Sequence, residues 1–163
     1  MNMQANSVTL HRVLKAAREK VYRAFTQADA LASWLPPYGF ICIVHKMEAK
    51  VGGHYKMSFV NFSTGNSHSF GGKYLELKPG ELLKYTDKFD DPNLPGEMVT
   101  SVWLKKVSCG TELKVIQEGI PAAIPPVSDP KVRALSPAAT AAALPPLLPP
   151  GTHSRFQGLL VVL

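Results

Sequence analysis

The chain is poor in the residues that would announce a staple, an anchor or a reaction. Among its 163 residues are two cysteines, Cys42 and Cys109, too few for a disulfide framework and without metal-ligand spacing. Both fall in strand-like stretches, where small buried thiols are expected. No run of about 18 apolar residues occurs, so no helix is expected to cross a membrane. Residues Met1 to Ser7 are polar and hold no apolar signal core, which points to the cytoplasm. Nucleophile-elbow, zinc, phosphate-loop and dinucleotide motifs are all missing. No cofactor and no metal site are expected.

Charge is sparse too. Charged residues make up 18% and hydrophobic ones 45%, a globular composition of a length that suits one domain. The net charge of +6 raises the question of nucleic acid. Its distribution answers against it, because acids sit among the bases: Glu19 lies between Arg18 and Lys20, and Asp87 precedes Lys88. No basic helix face or aromatic-basic motif of an RNA-binding sheet is present. A solvated basic surface accounts for the balance.

What is present divides near Pro126. Residues 1–126 carry most of the charge and all but one of the aromatics, and read as a folded domain. Residues 127–163 hold six prolines (130, 137, 145, 146, 149 and 150), an alanine cluster and Phe156, and read as a low-complexity tail.

Within the first part the hydrophobic period changes in an informative order. Ser7 to Leu14 alternates, with Val8, Leu10, Arg12 and Leu14 on one side, which is a strand. From Ala16 the period turns helical: Ala17, Val21, Ala24, Phe25 and Ala28 recur at three- and four-residue spacing. A second short helix is expected over Asp29 to Leu35, stopped by Pro36-Pro37. Strands follow over Phe40–Met47, His54–Asn61, Phe70–Leu77, Leu82–Phe89, Met98–Val107 and Thr111–Gln117, divided by turn signals such as Gly52-Gly53, Pro79-Gly80 and Gly110. The class is α+β: a curved antiparallel sheet of six to seven strands, with two short helices after the first strand. One face of such a sheet carries the hydrophobic row and needs a cover.

The segments REKVYRAFTQADALASWLPP, KVGGHYKMSF, FGGKYLEL and KYTDKFDDPNLPGEM resemble one bacterial family. It comprises the homologues of the activator of the heat-shock protein 90 ATPase, within the START and polyketide-cyclase superfamily. The resemblance runs from about Val8 to Pro126. It implies a helix-grip fold, in which a long C-terminal helix lies across the concave sheet and closes a cavity. It implies little about activity, since one fold hosts many functions. After IPAAIPP the chain departs from the family, whose members continue into an amphipathic helix that includes a Gly-Trp pair. Here the closing helix is missing or replaced. The longest helix the tail supports is Pro137 to Leu144, with Ser136 as N-cap and Pro145 as the stop. Two turns are too short to span the sheet. A frameshift near codon 126 would produce such a tail, and a lineage-specific extension is the rival explanation.

Several residues invite a sharper reading and are weighed against a plainer one. Gly52-Gly53 and Gly71-Gly72 are expected at strand ends, as turns or bulges rather than phosphate cradles. His45, His54 and His68 would serve as acid or base only if one reached the concave face, where an imidazole titrates near neutral pH. Asp87, Asp90 and Asp91 suggest a cation site, but beside Pro92-Asn93 they read as a solvated loop. The aromatic and thioether side chains are more telling together. Trp34, Phe40, Tyr55, Met57, Phe59, Phe70, Tyr74, Tyr85 and Trp103 are spread over the second helix and successive strands. They are the expected lining of a ligand cavity, with tyrosine and tryptophan supplying orienting polar ends.

The expected function is binding of a small apolar or amphipathic molecule, without evident catalysis. A protein-interaction module that stimulates a chaperone ATPase is the alternative, and a cyclase- or hydrolase-like enzyme a third. An enzyme should place a titratable group of shifted pKa in the cavity, whereas an interaction module should expose an apolar patch. If the concave face lacks its closing helix, a homodimer is expected to cover it.

Overall fold

The computed structural model describes residues 7–36 and 39–121. In chain order these form β1 (Val8–Leu14), α1 (Arg18–Thr26), α2 (Ala28–Trp34), β2 (Phe40–Met47), β3 (His54–Asn61), β4 (Ser67–Lys78), β5 (Leu82–Phe89), β6 (Met98–Val107) and β7 (Gly110–Glu118). The seven strands make one antiparallel sheet in the order β1-β7-β6-β5-β4-β3-β2. Each strand from β2 to β6 pairs with its successor, as short turns dictate. The first strand instead closes onto the last, with Val8 opposite Gln117 and Leu14 opposite Thr111.

Alternation decides the faces. On β6, Met98, Thr100, Val102 and Leu104 are buried, and on β7 so are Thr111, Leu113, Val115 and Gln117. The same side of β5 carries Leu83, Asp87 and Phe89, all buried. Register shifts between Val44 and Lys46 on β2 and between Tyr74 and Glu76 on β4 mark bulges, which bend strands and deepen the concavity.

Both helices lie on that concave side, α1 against β6 and β7 and α2 against β2. Glu19 in the first turn of α1 and Arg23 in the last complement its dipole. Val21 and Phe25, one turn apart, are its buried residues, and Leu31 and Trp34 are those of α2. The break falls at Gln27, whose backbone is extended. Trp34 pins the corner: its Nε1 donates to the Ala24 carbonyl at 2.8 Å, and its ring meets Phe25 edge-on at 5.0 Å.

The structure corrects two local expectations. Gly71-Gly72 lies inside β4, not at its end, because the strand begins earlier, at Ser67. A Cβ at position 72 would fall 1.8 Å from the Thr86 carbonyl oxygen, so Gly72 is where β5 approaches β4 too closely for any side chain. Cys109 is exposed in the β6–β7 turn, while Cys42 is half-buried. The expected helix over Pro137 to Leu144 and the loss of the closing helix concern residues outside those described.

Candidate ligand pocket

Between the two helices and the middle of the concave face lies a recess whose empty space, mouth included, is about 350 Å³. The space that the centre of a water-sized sphere can explore within it is only about 20 Å³, well below the range for small-molecule sites. Phe25 of α1, Leu31 of α2 and the adjoining Leu35 form one wall. Tyr55 and Met57 of β3 with Phe70 and Tyr74 of β4 form the floor, and Tyr85 and Asp87 of β5 complete it. The strand register explains the grouping, since Met57 is opposite Phe70 and Tyr74 opposite Tyr85. Three tyrosine rings meet here, with centroids 5.5 Å (Tyr55–Tyr74), 5.9 Å (Tyr55–Tyr85) and 6.2 Å (Tyr74–Tyr85) apart.

Of the nine side chains expected in the lining, Tyr55, Met57, Phe70, Tyr74 and Tyr85 are there. The other four lie elsewhere. Phe59 is fully buried against Phe70 at 4.7 Å and belongs to the packed core. Trp34 serves the helix corner. Phe40, on edge strand β2, is half-buried and faces the His68 ring at 5.7 Å. Trp103 is a correction: it points away from the concave face, 41% exposed, with the Lys114 ammonium 5.9 Å from its ring. The reason is the pleat, because its neighbours Val102 and Leu104 occupy the inner positions.

Four lining residues were missed by the sequence reading, and three are the apolar Phe25, Leu31 and Leu35. The fourth is Asp87, 1% exposed at the inner end of the recess. Its Oδ1 has no hydrogen-bond partner among the described residues. Burial pushes its pKa up to about 7, against the smaller opposing pull of the Tyr55 hydroxyl and the Lys88 N–H. Tyr55 has one hydroxyl proton, and it is donated to the Thr86 carbonyl at 2.7 Å. Burial also raises the three phenols: Tyr74 to about 12, and Tyr55 and Tyr85 well upward, with the Asp87 charge adding to the last two. A signal for Asp87 was present, since Leu83, Tyr85, Asp87 and Phe89 share one side of β5. Its neighbours Lys88, Asp90 and Asp91 masked that signal.

Those neighbours do lie outside. Asp90 pairs with Lys56, and Asp91 accepts from the Asn93 N–H at 2.8 Å. No group of three His, Cys, Asp or Glu among the described residues is placed to hold a metal ion. None of the three histidines lines the recess. His45 bonds Ser58 at 2.7 Å, which in turn bonds Ser69, on the convex side.

The family described as "Activator of Hsp90 ATPase homolog 1-like protein" matches residues 15–128. This chain belongs to that family. The match ends two residues beyond Pro126, where the composition changes. A Chromobacterium violaceum protein of known crystal structure is similar to this activator-homologue chain at 55% identity and a TM-score of 0.74, over 78% of this chain and 88% of that one. A Rhodobacter sphaeroides structure is similar in fold at 22% identity and a TM-score of 0.64, over 85% and 84%. An Arthrobacter aurescens solution structure shares it at 18% and 0.65, over 72% and 71%. No curated protein matches the chain. The helix-grip architecture is thus that of the START and polyketide-cyclase group. No helix among the described residues is long and apolar enough to cross a membrane.

Proposed function

We propose that this protein binds a small, largely apolar molecule in the recess under α1 and α2, and holds it without a reaction of its own. The observation that carries the reading is the lining: of its nine described residues, eight are aliphatic or aromatic and one, Asp87, carries a carboxyl. A reaction would call for a nucleophile, or an acid and base pair, converging on one point, and a lone carboxyl suits orientation better. Native mass spectrometry of the gently purified chain tests the proposal. A retained compound is expected on the wild type and lost in Met57→Trp, whose indole would fill the recess. A bare chain that no member of an apolar compound panel stabilises against heat would overturn it.

A second reading, an interaction module acting on a chaperone ATPase, takes support from one surface observation and the family's description. Ile41 and Ile43 on edge strand β2 are 50% and 43% exposed, and Phe62, just beyond β3, is 64% exposed. This apolar row suits a protein partner better than water. Adding the chain to a bacterial chaperone of the heat-shock protein 90 type should then raise its ATP turnover, and Ile43→Lys should abolish the rise. Unchanged turnover with the wild type would remove this reading.

A further inference from the structure

Asp87 is a buried acid with no counter-charge among the described lining residues. Taking a carboxylate out of water costs several kcal/mol unless a cation and hydrogen bonds replace the solvent. No lysine, arginine or histidine is among the described lining residues. Lys88, next in the chain, is exposed on the opposite side of β5. The recess therefore holds a buried acid whose Oδ1 has no hydrogen-bond partner among the described residues, and whose pKa burial raises.

Tyr55 and Tyr85 lie near that acid and Tyr74 packs against both, each ring within about 6 Å of the other two. An aromatic ring presents a negative face, and several rings around a carboxylate form the setting in which proteins hold organic cations. A metal ion would find one carboxylate where it needs several oxygen ligands. An anionic head would meet Asp87 as a like charge. A neutral alcohol could bond Oδ1 but would gain nothing from the charge and little from the rings.

We infer that the recess selects an organic cation, an amine carried on an apolar body, with Asp87 as its counter-ion and Tyr55, Tyr74 and Tyr85 around its head. This rests on the ligand-binding reading above and names the ligand's chemical class. The apolar body lies against Phe25, Leu31 and Met57. Binding displaces the Asp87 proton: the acid is mostly protonated when the site is empty just below neutral pH, and ionised once the ammonium arrives. The titratable groups facing it are the three phenols, which remain protonated throughout this range.

The test uses three probes of one shape on the full chain, namely naphthylmethylamine, naphthylmethanol and naphthoate, titrated by calorimetry in buffers of different ionisation enthalpy. The amine is expected to bind at least about tenfold tighter than the alcohol, and naphthoate more weakly than either. Near pH 6 the amine should release close to one proton per molecule bound, and near pH 8 almost none. Asp87→Asn should bring the amine to the affinity of the alcohol and leave the alcohol unchanged. If that variant fails to fold, proton release by the wild type decides alone. Equal binding of amine and alcohol without proton release would overturn the cation assignment while leaving a ligand pocket. Binding by none of the three would overturn both.

Discussion

The Tyr55 hydroxyl of β3 reaches over β4 to donate to the Thr86 carbonyl of β5, 2.7 Å away. It can do so because the residue opposite Tyr55 on β4 is Gly72, which puts no side chain in the way. One hydrogen bond thus ties three strands together at the floor of the recess, one residue from Asp87.

Removing that bond should be felt in stability. Tyr55→Phe leaves a buried carbonyl without a donor and should cost about 1–3 kcal/mol in urea unfolding. Gly72→Ala should cost more, because its Cβ would sit inside the contact distance of the Thr86 oxygen and force β4 and β5 apart. An alanine variant as stable as the wild type would show that the strands separate freely.

Asp87 makes stability depend on pH in an unusual direction. Its folded pKa, about 7, lies above the ordinary 3.8, so between these values the folded chain holds a proton that the unfolded chain has lost. The contribution is therefore fully present below about pH 4 and is lost as pH rises through 7. Its upper bound is about 4 kcal/mol. Asp87→Asn should flatten the pH profile over that window and raise stability near pH 8 relative to the wild type. Chemical unfolding at a series of pH values reads this directly, and an unaltered profile would mean that Asp87 is solvated.

The tryptophans and the core should separate cleanly. Trp103→Ala removes an exposed ring and one cation–π contact, and should cost no more than about 1 kcal/mol. Phe70→Ala empties a fully packed position on the floor and should cost about 3–5 kcal/mol. Thermal melts of the two variants give the comparison, and a larger loss at Trp103 would contradict its outward placement.

The tail makes a prediction about the gene. If a frameshift near codon 126 replaced the closing helix, an alternative reading frame should encode an amphipathic helix containing a Gly-Trp pair. The chain as it stands should then form a dimer through its concave side. Translation of the three frames tests the first expectation, and light scattering at micromolar concentration the second. The absence of such a helix in every frame, or a monomeric mass, respectively, would defeat them.

Most of the fold was legible because period alone separates its parts. The strict alternation of Val8–Leu14 and the helical spacing through Phe25 each allow one structure. The strand ends fall at glycines and prolines whose geometry admits little else. The site was legible only in part. Alternation states which side of β5 Asp87 takes, but the cost of burying an acid argues for the loop, and a buried acid can only be recognised once its neighbours are placed. Trp103 fails for the reverse reason: size and apolarity suggest the interior, while the pleat, fixed by Val102 and Leu104, turns it out. Gly72 needs the third dimension altogether, because the oxygen that excludes a side chain there belongs to a strand fourteen residues further along.

The pairing of β1 with β7 sets a timetable for synthesis. Val8 and its partner Gln117 are separated by nearly the whole described chain, so the first strand to leave the ribosome is the last to be matched. Until β7 emerges, Val8, Leu10 and Leu14 form an apolar edge without a neighbour, while β2 to β6 can already zip together in order. Contacts of such long sequence separation close slowly, and an unmatched edge is the place where nascent chains join one another instead. The N-terminal strand is therefore the segment for which a holding chaperone matters most.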